Sequence, residues 1–253
     1  MKYFGIFLQK RAASRPTWHI EKPRRERGKM ATFKDFGVVL REYDAGEANK
    51  RLVLLTEGRG KITVFSRGAK KTGTKLATGL FDCNEFVIFD GGSFLSLAQT
   101  TCLHGFGATI SSNFEAFVYA SSFLEILDKI ILTGMDAKAA LRLLLRGLAE
   151  LSAGRSPHGV FAVFMFKLLQ KEGFAPMLDG EYFTAEGLAA NDGPGAIRFD
   201  PAASDALAYI LNTDGKRAFA FDASEDVLAR LCAAARLFLS ANVDVDLKSL
   251  ILI

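Results

Sequence analysis

The sequence predicts an α+β chain, with a small five-stranded barrel on the N-terminal side and an all-helical domain after it. Three observations predict this. From Phe33 to Leu103, short runs with a two-residue apolar period are separated by glycine-containing turns. After Leu103 the period becomes helical, and cap residues stand ahead of each apolar stretch. Charge divides in the same way: residues 30–104 hold ten basic and eight acidic side chains, whereas residues 105–253 hold thirteen basic and eighteen acidic.

Residues 1–29 carry nine Lys/Arg against two Glu and include the run EKPRRERGK. Few apolar residues follow Leu8, so the segment reads as a disordered basic arm. It also fits translation from an upstream start codon, because Met30 opens the first patterned segment. The run YFGIFL is too short for a secretory core, and no apolar stretch approaches a membrane span. The cysteines, Cys83, Cys102 and Cys232, are far apart and odd in number. That suits a reducing cytoplasm and supplies no disulfide framework.

The strands are expected at Gly37–Tyr43, Arg51–Thr56, Lys61–Arg67, Leu80–Phe89 and Phe94–Thr101. Glu57-Gly58-Arg59-Gly60 turns the second into the third, and Asp90-Gly91-Gly92 turns the fourth into the fifth. Between the third and fourth lies the polar loop GAKKTGTK. Five short strands in about 70 residues match a Greek-key barrel of the OB type, so residues 30–104 are expected to form an OB-fold domain.

Residues 105–253 are expected to be helical. Ser112-Asn113-Phe114-Glu115 reads as a capping box opening a helix with a stripe of Phe114, Phe117, Val118, Ser121, Leu124 and Ile131. Asp136 precedes a leucine-rich helix over Leu141–Leu151. Ser156-Pro157 opens a third helix, VFAVFMFKLL, which is apolar on almost every face and belongs at the domain centre. Residues 177–199 read as a loop. Asp200-Pro201 and the stretch Asp222 to Glu225 open two more helices.

The third strand carries the chemical signal. Ile62 and Val64 define one face; the other reads Lys61, Thr63, Phe65, Arg67. Lysine and arginine neutralise phosphates, and an exposed ring stacks on a base. Lys50, Arg51, Arg59, Lys70, Lys71 and Lys75 extend the track, so Lys50 to Lys75 holds eight basic residues and one acid, Glu57. The plain alternative is a solvated charged face with Phe65 packed beneath the loop or against the helical domain. No phosphate-binding GxxxxGK[ST] loop and no paired carboxylate motif is present, so an enzyme is not expected. His19, His104 and His158 are scattered without a nucleophile partner and read as structural or solvent-facing rather than catalytic. Cys102 and His104 alone make no metal site.

The stretch GVVLREYDAGEANKRLVLLTEGRGKITVFSRGAKK, Gly37 to Lys71, resembles the N-terminus of the RecO family, in its Gly46-Glu47 linker and its Arg67-Gly68-Ala69-Lys70 ending. LLQKEGFAPMLDG resembles the segment that leads into the family's zinc loop. ANVDVDLKSL resembles its closing helix with a Leu-Lys-Ser signature. The similarity spans Lys34 to about Leu250.

The resemblance implies a bacterial cytoplasmic, nucleoid-associated mediator of DNA repair and recombination. Such a protein binds single- and double-stranded DNA, anneals strands coated with single-strand-binding protein (SSB), and with RecR helps load RecA. It implies no nucleotide hydrolysis. It also implies a pocket for the acidic SSB tail in the helical domain, for which Arg142, Arg146 and Lys167 are the candidate basic rim. Many members hold zinc through four cysteines after the Leu-Asp segment. Here Leu178-Asp179 is followed by Gly180-Glu181-Tyr182-Phe183, so no metal and no cofactor are expected, with Tyr182 and Phe183 as aromatic anchors instead. Two other readings stay open: a pathway scaffold with weak DNA affinity, and an RNA-binding OB protein.

Overall fold

The computed structural model describes residues 31–68, 78–221, 223–244 and 247–249. Five strands, β1 (Ala31–Asp44), β2 (Lys50–Thr56), β3 (Gly60–Ser66), β4 (Cys83–Asp90) and β5 (Leu95–His104), close into a barrel in the order β1-β2-β3-β5-β4. All neighbours are antiparallel except β3 and β5, which meet in parallel only at Val64–Leu95 and Phe65–Ser96. Val39, Leu52, Leu54, Ile62, Val64, Phe86, Ile88 and Leu97 fill the interior. Each such side chain removed from water favours the fold by about 1.5–3 kcal/mol.

Three strand boundaries differ from expectation by three residues or more, among them the end of β5, which runs on from Thr101 to His104. β1 starts six residues earlier, because Ala31 to Phe36 pair with Asp90 to Glu85. β4 starts three residues later. Leu80 to Asp82 instead form a turn, with Phe81 buried at φ 65° and Asp82 Oδ1 accepting the Gly107 N–H at 2.8 Å.

In β2, Leu52 to Thr56 are all buried, although a barrel strand has one outward face. The outward Val53 and Leu55, with Val38 and Leu40 of β1, belong to the core of the helical part. The helices α1 (Gly107–Ser111), α2 (Phe114–Ile130), α3 (Lys138–Ser152), α4 (Pro157–Lys171), α5 (Pro201–Asn212) and α6 (Glu225–Asn242) follow. α2 packs on β1 and α3 on β2. Asn113, not Ser112, caps α2, accepting the Ala116 N–H at 3.0 Å. Glu115 does not complete a capping box; it lies 3.0 Å from His158 Nε2, whose Nδ1 is 2.7 Å from Glu225. Phe114, expected in the buried stripe, is exposed, and Tyr119 and Phe123 are buried instead. α4 is buried without interruption from Gly159 to Leu169, as its all-round apolarity requires. Asp200 and Ser224 cap α5 and α6.

Residues 177–199 are not a loop. They form a four-stranded sheet of β6 (Met177–Leu178), β7 (Tyr182–Thr184), β8 (Gly187–Ala189) and β9 (Ile197–Arg198), in the order β6-β8-β7-β9. Strands of two or three residues are too short to show alternation. Gly187 makes the sheet possible: at φ 118°, a Cβ there would lie 2.2 Å from the Met177 nitrogen. Phe183 anchors the lobe. It is fully buried and its ring centroid lies 5.4 Å from Phe199, 5.9 Å from Phe166 and 6.1 Å from Phe238. No Cys or His lies between residues 177 and 199, so the donor set there does not fit a structural zinc ion.

Candidate nucleic-acid interface

Register brings the candidate side chains together. Tyr43 of β1 pairs with Arg51 of β2, Arg51 with Phe65 of β3, and Phe65 with Ser96 of β5. Directly opposed residues point to the same side of a sheet, so these four make one outward row across four strands. The row is extended at both ends. The Arg41 and Arg51 guanidiniums lie 4.8 and 5.2 Å from the Tyr43 ring centroid. Phe94 meets Phe65 edge-to-face at 6.2 Å, and Arg67 lies 5.7 Å from the Phe94 ring. Phe65 is 38% and Phe94 41% exposed, unusual for phenylalanines that a core could have taken. Three guanidiniums thus accompany three rings on one solvated strip.

The outer barrel face changes character along its strands. Toward the β2–β3 hairpin it is apolar and covered by α2 and α3; toward the other end it carries Arg41, Tyr43, Arg51 and Phe65. At the hairpin, Gly60 (φ 64°) lies so close to the α2–α3 connection that a Cβ would stand 2.0 Å from the Met135 carbonyl oxygen. Thr133 of that connection bridges to Lys61 of β3.

Of the residues expected on the DNA track, Arg51, Phe65 and Arg67 lie in the strip. Lys50 is beside it but paired with Glu42 at 2.5 Å. Arg59 lies over the Phe33 ring at 3.6 Å. Lys61 faces the helical part: its ammonium donates to the Asp128 carbonyl oxygen at 2.5 Å and lies 3.3 Å from Asp128 Oδ1. Its place on the exposed face of β3 is therefore taken up by an internal ion pair. Lys70, Lys71 and Lys75 lie outside the described residues. Arg41, Tyr43 and Phe94 were not anticipated. Tyr43 and Arg41 alternate outward, but an irregularity in β1 between Val39 and Arg41 reverses the parity set by Val38. Phe94 was legible only as an aromatic directly after a glycine turn.

The three basic residues expected around a tail pocket answer to different partners. Arg142 lies 3.3 Å from Glu57 of the barrel hairpin. Lys167 is 6% exposed and donates to the Gln170 side chain and the Leu211 carbonyl, each at 3.1 Å. Burial pushes the pKa of its ammonium down. Arg146 pairs with Glu150, which also lies 3.3 Å from Arg155. Arg155 stands at the mouth of a cleft between α4 and α6, lined by Val160, Val163, Phe219, Phe221 and Leu228. Among the described residues, no cluster of three or more His, Cys, Asp or Glu could hold a metal, and no helix is long and apolar enough to cross a membrane.

Family models place the chain. Residues 30–106 match the model described as Recombination protein O N terminal, and residues 111–251 the model described as Recombination protein O C terminal. A protein named DNA repair protein RecO from Acetivibrio thermocellus is 28% identical over 236 residues, covering 85% of this chain and 93% of its own. One of the same name from Symbiobacterium thermophilum is 26% identical over 243 residues, covering 87% and 96%. Another, from Cutibacterium acnes, is 30% identical over 157 residues, covering 59% and 64%.

Proposed function

The chain belongs to the RecO family of DNA repair proteins, and on that premise we propose that it is a non-enzymatic mediator whose barrel binds DNA through the strip of Arg41, Tyr43, Arg51, Phe65, Phe94 and Arg67. The observation that carries the reading is the cross-strand row Tyr43–Arg51–Phe65, flanked by guanidiniums at both ends. Exposed rings offer stacking platforms to unpaired bases, and guanidiniums offer phosphate contacts between them. Neither contact reads base identity, so binding is sequence-tolerant and weakens as salt rises. Strands held on such a surface have their phosphate repulsion reduced, which favours pairing with a complement. Lys50 lies beside the strip, and Lys70, Lys71 and Lys75, which follow β3 in sequence, are further candidate phosphate contacts, while Lys61 serves chiefly to hold α2.

The helical part supplies a second contact. The cleft between α4 and α6 joins apolar walls to Arg155 at its mouth, with Arg146 linked to it through Glu150. An acidic peptide ending in an apolar side chain, the chemistry of an SSB tail, fits that arrangement. Contact with RecR and help in loading RecA in the bacterial cytoplasm are part of this proposal, supported by membership of the family.

The test is annealing of complementary oligonucleotides, bare and SSB-coated, at two salt concentrations. The reading expects acceleration that fades with salt and is lost in Phe65→Ala/Arg67→Gln. A chain that accelerates nothing at low salt yet binds RecR is a scaffold; one that prefers RNA strands is an RNA-binding barrel. Either outcome overturns the proposal.

A further inference from the structure

One carboxylate lies where the covered and solvated halves of the outer barrel face meet. Asp128, two residues before the end of α2, receives a cation from each side of β2. Oδ1 faces Lys61 of β3 at 3.3 Å, and Oδ2 faces Arg41 of β1 at 3.4 Å. The two contacts differ in kind. Lys61 and Asp128 are each 14% exposed in their side chains, and the Lys61 ammonium also donates to the Asp128 backbone carbonyl. That half is an enclosed tie between helix and barrel. The Arg41 side chain is 55% exposed, its contact is long, and its guanidinium also leans on the Tyr43 ring at the end of the strip. An exposed ion pair of this type contributes only about 0–1 kcal/mol, little enough for a competing anion to displace it.

We propose that Asp128 is a positioning residue that stands in for a DNA phosphate at Arg41, so that strand binding at the Tyr43 end of the strip and the Arg41–Asp128 tie between β1 and α2 are mutually exclusive. The inference rests on the strip being the DNA surface. A phosphate reaching Arg41 and Arg51 across Tyr43 takes Arg41 from Asp128, while Lys61 keeps the helix attached. Linkage is reciprocal: a partner that presses α2 onto the barrel weakens DNA binding, and DNA loosens the end of α2. The DNA face and the helical part thereby exert opposite pulls on one guanidinium.

The experiment measures binding of a fluorescein-labelled oligo(dT) strand to the full chain by anisotropy across a salt series. Wild type, Asp128→Asn, Arg41→Gln and the double variant are compared. Asparagine keeps a side-chain oxygen for Lys61 and removes the charge that competes for Arg41. Asp128→Asn is expected to bind roughly two- to fivefold tighter, with a log–log salt slope steeper by about 0.7 for one further phosphate contact. The double variant should show none of that gain over Arg41→Gln. An unchanged or weakened Asp128→Asn, or an equal gain in the Arg41→Gln background, overturns the inference; the second result would mark a general charge effect. Hydrogen exchange on wild type keeps the test independent of variant folding: amides at Ile130 to Thr133 should exchange faster with oligo(dT) bound, and protection or no change there overturns the proposal. Loss of binding in Phe65→Ala/Arg67→Gln alongside indifferent Asp128 variants would refute this inference alone. Full binding by Phe65→Ala/Arg67→Gln would refute the strip itself.

Discussion

Glu125 holds Ser249 across nearly half the length of the chain: its Oε2 accepts the Ser249 N–H at 3.0 Å and the Ser249 hydroxyl at 2.8 Å, while Oε1 accepts the Lys248 N–H at 3.1 Å. Leu247, just before, is buried in the helical core. The Leu-Lys-Ser signature is therefore a docking device: the leucine fills a gap, and the next two residues present donors to one carboxylate of α2.

Partial burial alone would raise the pKa of Glu125, but hydrogen bonds from Ser249, Lys129 and Lys248 outweigh it and hold the group down at about 2, from an ordinary value of 4.5. Because the folded value is the lower one, the ionised carboxylate favours the native state. Its contribution is complete above pH 4.5 and is lost as pH falls toward 2. Glu125→Gln should cost roughly 1–3 kcal/mol at neutral pH and flatten the acid limb of the stability curve between those values. Urea titrations of both proteins at several pH values measure this; parallel acid limbs would contradict it.

Phe65 touches solvent and Phe94 rather than the barrel interior, so its removal should leave folding within about 0.5 kcal/mol of wild type. Binding of single strands should fall by about 1–3 kcal/mol, the worth of one base stack. Phe65→Tyr should retain most of the affinity. A Phe65→Ala protein that binds as tightly as wild type would show that the ring serves the barrel surface alone.

Phe183 carries the small sheet. Phe183→Ala should lower stability by about 3–5 kcal/mol, seen as a large drop in melting temperature, and expose the lobe to proteolysis. A strong chelator should leave the wild-type melting curve unmoved, and metal analysis should find less than one zinc per chain. A stoichiometric ion, or a chelator-dependent melt, would assign the anchoring to metal.

Arg155 and Lys167 separate binding from folding. Arg155→Glu changes an exposed cation at the cleft mouth and should abolish capture of an acidic, phenylalanine-ended peptide with little loss of stability. Lys167→Glu would put an acceptor opposite the Leu211 carbonyl inside the domain and should unfold it. Calorimetry with the peptide, paired with thermal melts, distinguishes the two. Peptide binding that survives Arg155→Glu would place the tail elsewhere.

The β3 pattern, the glycine turns and the uninterrupted apolarity of α4 are local properties, and each read correctly from the chain because a period of two or of 3.6 residues writes itself directly into sequence. Arg51 was marked only by the basic run that flanks Phe65 and Arg67, whereas the outward positions of those two were legible for the same reason. Lys61 was not. Period two set it on the same outward face as Phe65, but only the arrival of α2 decides that Lys61 meets a carboxylate and Phe65 meets water. Tyr43 and Arg41 were hidden by the irregularity in β1, which shifts side-chain parity without any residue that announces it. Residues 177–199 read as a loop because their strands are too brief for periodicity, and their order depends on Phe183 finding three distant rings. The sequence by itself determined a five-stranded barrel, the helices behind it and the sign of the charge on one surface. The tertiary structure decided which of those charges face solvent, because a cation's partner is set by how two separately encoded elements pack, and no spacing along one strand records what the other will bring.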